Sequence, residues 1–145
     1  MATPAQDRTL PAPAVNPENK PYFDAAAEGR LLLKHCNGCG RVHCYPRAIC
    51  PRCFSADTAW IEAAGTGRIY TYSVSRIGVP TPFALAYVTL AEGVTMMTNI
   101  VDCDLDALAI GQPVRVVFKA AEDGTWMPMF TPAAAEPGAA AGGRA

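Results

Sequence analysis

Four cysteines constrain this chain more than any other feature. They fall as Cys36-Asn37-Gly38-Cys39-Gly40 and, after a ten-residue spacer, Cys50-Pro51-Arg52-Cys53. Each Cys-x-x-Cys pair makes a tight knuckle, and the small Gly38 and Gly40 permit the turn. Four thiolates at tetrahedral corners suit Zn²⁺, with Zn–S near about 2.3 Å. The same cage would take iron, which sulfur spacing alone does not exclude. The spacer is short for a zinc ribbon but spans a small hairpin. Four protein ligands leave no open position for water, so the metal is expected to be structural. A module of this size buries little core and draws its folding energy from the metal.

The surrounding residues narrow the reading. His35 and His43 flank the cage, but four cysteines already complete it. Cys44 reads as a small buried residue. Cys103 lies between Asp102 and Asp104, whose charges raise a thiol pKa and argue against a nucleophile. No Gly-x-Ser-x-Gly, phosphate-cradling glycine loop or His-Glu-x-x-His occurs. Both histidines belong to the ribbon, so the segment after it has no Ser-His or Cys-His couple.

The chain has 145 residues, half of them hydrophobic, enough for one ordinary domain or two very small ones. Twelve basic residues stand against thirteen acidic ones, so net charge gives no reason to expect nucleic acid or an anionic membrane. No apolar run approaches the roughly 20 residues of a membrane helix. Met1 to Pro13 lacks a basic start and an apolar stretch, and a cytoplasmic location is expected, where thiols stay reduced. From Arg30 to Arg76, however, seven basic residues face only two acids. That stretch is either a solvated surface or a face for an anion or partner.

Residues 1–15 and 133–145, rich in Pro, Ala and Gly, are expected to be a flexible arm and a disordered tail. Residues 16–30 should hold a short helix, capped by Asn16 or Asn19, with Pro17 or Pro21 in its first turn and Gly29 as its stop. Tyr22, Phe23 and Ala26 would share its buried face. The ribbon is expected over 31–62. Period-two alternation then marks strands at Arg68 to Ser75, with Tyr70, Tyr72 and Val74 on one face, and at Val114 to Lys119, with Val114, Val116 and Phe118 on one side; Phe83 to Leu90 and Val94 to Val101 are strand-like runs, and Trp126 to Phe130 is a last short strand. Glu92-Gly93 makes a turn, and Asp104 to Ala109 one helical turn. Five strands over 63–132 predict a small β-barrel, which leaves few exposed edges. The fold class is thus mainly β, with a short N-terminal helix, a rubredoxin-like ribbon and a barrel.

The sequence resembles the zinc-ribbon/OB-fold proteins catalogued as DUF35. The carrying stretches are Glu28-Gly29-Arg30-Leu31, the first knuckle, Tyr45-Pro46-Arg47-Ala48-Ile49-Cys50-Pro51-Arg52-Cys53, Gly67-Arg68-Ile69-Tyr70-Thr71-Tyr72, Asn99-Ile100-Val101-Asp102-Cys103-Asp104 and Ile110-Gly111-Gln112-Pro113-Val114. The likeness covers about residues 16–132, and His43-Cys44 departs from the usual hydrophobic pattern. It implies a five-stranded OB-fold barrel and a non-catalytic partner of a thiolase-like subunit, in a hetero-oligomer acting on acyl-CoA. Such pairs cleave or form carbon–carbon bonds or transfer acyl groups, and the catalytic Cys and His belong to the partner. The small subunit helps form the pocket for the CoA thioester, and Arg47, Arg52, Arg68 and Arg76 are the candidates here to face CoA or the partner. The alternative is a single-stranded nucleic-acid-binding OB-fold module.

Overall fold

A computed structural model describes residues 8–134. The helix α1, Lys20–Ala27, begins at Asn19 with Pro21 in its first turn. Asn16 and Asn19 brace the entry: the Asn16 side chain accepts from the Glu18 and Asn19 N–H groups, and that of Asn19 accepts from the Asn16 N–H. At the other end Gly29 has φ +78°, and the Gly29 and Arg30 N–H groups donate to the Ala26 and Ala25 carbonyls. This is the Schellman closure that a left-handed glycine permits. Ala25 and Ala26 are buried, and Tyr22 meets Phe23 edge to face at 5.2 Å between ring centroids.

Three strands form the ribbon sheet: β1 (Leu32–Cys36), β2 (Val42–His43) and β3 (Thr58–Glu62), in the order β2-β1-β3. Five more make a closed barrel: β4 (Thr66–Ser75), β5 (Phe83–Leu90), β6 (Thr95–Ile100), β7 (Pro113–Ala120) and β8 (Trp126–Pro132), in the order β4-β5-β6-β8-β7. A 3₁₀ turn at Leu105–Ala107 lies between β6 and β7, capped by the Asp104 carboxylate. All barrel pairings are antiparallel except β6–β8, which is parallel and meets at the single pair Ile100–Phe130. This is the five-stranded OB-fold barrel.

Ribbon and barrel share one core. Leu31 and Leu33 pack in the same buried cluster as Ile69, Val88, Ile100, Leu105 and Phe130. The strand entering the first knuckle therefore also plugs the barrel.

Strict alternation puts Tyr70, Tyr72 and Val74 on one face, and the structure corrects this. A β-bulge falls between Ile69 and Thr71, which pair with Val88 and Tyr87. The extra residue flips the parity: Ile69 is buried, Tyr72 and Val74 pack on the core, and Tyr70 points outward. Val114, Val116 and Phe118 do share the core side of β7.

Residues 1–7 of the expected arm and 135–145 of the expected tail lie outside the described residues. The remainder of the arm has no regular structure but lies on the barrel. Leu10 is buried with Ala121 and Met129, and its carbonyl accepts the Glu122 N–H. Among the described residues no helix is long and apolar enough to cross a membrane.

At Gly67 the backbone of β4 lies close against β5. A Cβ there would stand 2.6 Å from the Thr89 carbonyl oxygen and 2.7 Å from a Val88 methyl. Because backbone must give way, Gly67→Ala should cost about 1–3 kcal/mol, read by urea denaturation. An alanine variant as stable as the parent would contradict that packing.

Candidate metal centre

The two knuckles repeat one hydrogen-bond scheme. In the first, the Gly40 N–H donates to the Cys36 carbonyl and the Cys36 N–H to the Arg41 carbonyl. In the second, the Phe54 N–H donates to the Cys50 carbonyl and the Cys50 N–H to the Ser55 carbonyl. Gly40 and Phe54 hold the same place, and both are left-handed, at φ +72° and +63°. Phenylalanine is strained there, and its ring stands in solvent. Gly38 is packed too: a Cβ would sit 3.0 Å from the Ser55 Cβ.

These turns bring four sulfurs together. The Sγ atoms of Cys36, Cys39, Cys50 and Cys53 all lie within 4.8 Å of one another. Cys36–Cys53 are 3.5 Å apart and Cys39–Cys50 3.8 Å. A tetrahedron with Zn–S of about 2.3 Å has S···S edges of about 3.8 Å, so the cage fits zinc. Cys36 and Cys50 are buried, while Cys39 and Cys53 face out. Backbone N–H groups of Cys53 and Arg52 hold the Cys50 thiol down to about 6. The Ser55 N–H favours the Cys53 thiolate, but the neighbouring sulfurs and burial outweigh it and push that thiol up to about 11. One thiolate thus forms easily, and the crowding of sulfurs opposes further ionisation until a cation neutralises them.

The nearby groups stay outside the cage. His35 Nδ1 lies 3.2 Å from the Asn37 side-chain oxygen. His43, opposite Lys34 on the next strand, is buried with neither ring nitrogen hydrogen-bonded. Lys34 stacks over Trp60 at 4.2 Å and donates to the Thr58 hydroxyl. Burial raises the Cys44 thiol, and burial followed by the charges of Asp102 and Asp104 raises Cys103. Neither thiol is tuned as a nucleophile.

The four singled-out arginines do not converge. Arg47 lies over the Tyr45 ring at 5.0 Å, and the backbone N–H of Arg52 donates to Cys50 Sγ, which leaves its side chain exposed on the ribbon. Arg68 donates to the Gly111 carbonyl, and Arg76 pairs with Asp106. Arg68 lies near the start of β4 and Arg76 just past its end, eight residues apart, or at most roughly 26 Å at strand rise. One feature escaped the alternation argument. Phe83, Leu85 and Tyr87 project outward from β5 beside Met97 of β6, with Leu85, Tyr87 and Met97 exposed. Its trace is that the run from Phe83 to Leu90 is apolar at both parities, not at one as in a half-buried strand.

Fold and sulfur cage together define a zinc-ribbon/OB-fold protein. Residues 23–59 match the family described as the ChsH2 rubredoxin-like zinc ribbon domain, and residues 60–119 the ChsH2 C-terminal OB-fold domain. The chain belongs to the DUF35 family. It is 40% identical over 97 residues to a DUF35 domain-containing scaffold protein of Methanothermobacter thermautotrophicus, covering 61% of this chain and 71% of that one. It is 36% identical over 127 residues to a probable enoyl-CoA hydratase alpha subunit of Thermomonospora curvata. That match covers 85% of this chain but only 40% of the relative. A solved structure described as an Ltp2-ChsH2(DUF35) aldolase contains a chain similar at 35% identity and TM-score 0.72, over 83% of this chain and 98% of that one. A DUF35 structure from Sulfolobus solfataricus, at 13% identity and TM-score 0.61, over 82% and 87%, shares the fold.

Elemental analysis should find one zinc per chain. Cys36→Ser or Cys53→Ser should lose both metal and solubility, whereas Cys44→Ser and Cys103→Ser should keep the metal. Full zinc retention by both ligand variants would refute the cage.

The buried His43 gives a pH signature. Burial, with Lys34 and Arg47 adding charge and the Arg47 backbone opposing, lowers its pKa. The unfolded chain takes up the proton near about 6.5, and the folded chain only below that. Stability is therefore full above this value and falls progressively below it, towards the folded pKa. Denaturation midpoints of the zinc-loaded protein should drop over that range, and less so in His43→Leu. Parallel profiles would exclude His43 as the source.

Proposed function

We propose that this chain is a non-catalytic, zinc-binding OB-fold subunit of a thiolase-like acyl-CoA complex, in which Cys36, Cys39, Cys50 and Cys53 hold a structural zinc. In this reading it stabilises the catalytic partner and helps form its CoA pocket, for carbon–carbon thiolysis, retro-aldol cleavage or acyl transfer.

The observation that carries the reading is the outer face of β4, β5 and β6. Its cross-strand rows are Thr71–Tyr87–Met97 and Ser73–Leu85–Asn99, without a charge among them. Met97 is 59% exposed, Tyr87 45% and Leu85 41%. Aromatic and methionine side chains without charge are the composition of an interface core. An uncharged surface asks for an uncharged counterpart, since a buried unpaired charge is costly. The described relatives add support: one structure pairs a DUF35 chain with a second protein as an aldolase, and one relative is named as a CoA-linked subunit.

The exposed arginines suit the phosphates of CoA or an acidic rim of the partner. The spacing along β4 means that Arg68 and Arg76 serve different contacts, while Arg47 and Arg52 present charge from the ribbon. A charge-assisted contact is worth about 1.5–3 kcal/mol, so reversal at the right arginine should weaken assembly or raise KM for acyl-CoA about tenfold or more.

Mixing the zinc-loaded chain with a thiolase-like subunit should give a stable hetero-oligomer and raise activity that the chain alone lacks. Leu85→Lys with Met97→Lys should abolish assembly and leave zinc content intact. Turnover of acyl-CoA by the chain alone would overturn the subunit reading. Unchanged assembly and KM after all four arginine reversals would reduce the basic stretch to a solvated surface.

A further inference from the structure

Away from the zinc ribbon, a cavity of about 420 Å³ opens at one mouth of the barrel. It lies where β6 and β8 part, since these strands share only Ile100–Phe130. Phe83, Asn99, Phe118, Trp126 and Met129 are among the residues that line it. The loops before β5 and before β8 flank it, as they flank ligands in OB-folds generally.

The N-terminal segment supplies the missing wall. The Arg8 guanidinium lies 4.1 Å over the Phe83 ring centroid, which leaves its N–H edge available to an acceptor. Leu10 is anchored in the small cluster with Met129, and the Glu122 N–H holds its carbonyl. Among the described residues the lining holds two cations, Arg8 and Lys119, and no carboxylate. Lys119 is engaged by Asp102 at 2.9 Å, so Arg8 is the cation for an incoming anion. Trp126 is 43% exposed at the rim.

We propose that the barrel mouth and the Arg8–Leu10 segment form a binding site for a small organic carboxylate with an apolar body. The apolar part enters between Phe83, Phe118 and Trp126, and the carboxylate meets Arg8. The volume suits a small ligand. A nucleic-acid strand fits less well: residues 83–89 and 95–101 contain no Lys or Arg to follow its phosphates. Phe83 pairs with Ser75, the neighbour of Arg76, so the site borders that end of β4, but its recognition of an anion rests on Arg8 and does not depend on the four arginines proposed for CoA or the partner.

Trp126 is one of two tryptophans, so the full-length, zinc-loaded Trp60→Phe variant makes it the sole reporter. Phenylbutyrate should give a saturable change in its emission at submillimolar concentration, and neutral phenylbutyramide should bind about tenfold more weakly. Arg8→Gln should weaken the acid about tenfold and leave the amide unchanged. Arg8 lies in a segment without regular structure, so this variant tests the site without threatening the fold. Bound acid should also slow proteolysis before Leu10. Absence of saturation at millimolar acid, equal affinity for acid and amide, or an acid affinity indifferent to Arg8→Gln would each overturn the proposal. So would oligothymidylate displacing the acid from Trp126 with higher affinity, which would assign the mouth to nucleic acid.

Discussion

Four sulfurs within 4.8 Å repel one another as thiolates, and the charge of a metal ion turns that repulsion into the strongest cross-link in the chain. Its reach extends beyond the ribbon because of β1. Cys36 ends that strand, and Leu33 lies three residues earlier, wholly buried among the barrel residues. Fixing the knuckle fixes the strand, and the strand carries a leucine into the barrel core. β3 pairs with β1 through five residues and runs almost directly into β4, the first barrel strand. Loss of the metal therefore loosens one wall of a shared core, and metal affinity and barrel stability are thermodynamically linked.

What could be read in the sequence tracks how local each determinant is. The sulfur cage was legible because two three-bond knuckles announce themselves in a few residues. The helix was legible for a similar reason: Asn, Pro and Gly act on their own turns. The strands from Phe83 onward were visible as strand-like runs between turn residues, with β7 also alternating. Tyr70 was misplaced because a bulge changes parity without changing composition. Nothing between Arg68 and Ser75 marks the extra residue, and only the pairing with Val88 and Tyr87 shows it. The outward apolar row on β5 was visible only as an excess of hydrophobic residues, which reads equally as a strand buried on both faces. The mouth of the barrel was not legible. It joins Arg8 to Phe83 and Leu10 to Met129, contacts between distant parts of the chain with no sequence period.

The arginines illustrate the same limit. On paper, Arg47, Arg52, Arg68 and Arg76 belong to one basic stretch. In space the extended backbone of β4 separates its two ends, and the side chains of Arg47, Arg68 and Arg76 each take their own local ring or acceptor. A cluster in sequence becomes a scatter whenever it runs along a strand, because each residue adds about 3.3 Å.

The barrel closes through a single parallel pair, Ile100–Phe130, with the Val101 N–H donating to the Phe130 carbonyl. Every other seam is a ladder of at least three paired residues. A closed sheet is mechanically no stronger than its weakest joint. Amide exchange at Val101 should thus report the lowest-energy opening of the barrel, a parting of two strands that leaves both flanking hairpins folded. The cylinder behaves as a clasp, with its hinge along the β4–β5 ladder and its catch at one phenylalanine.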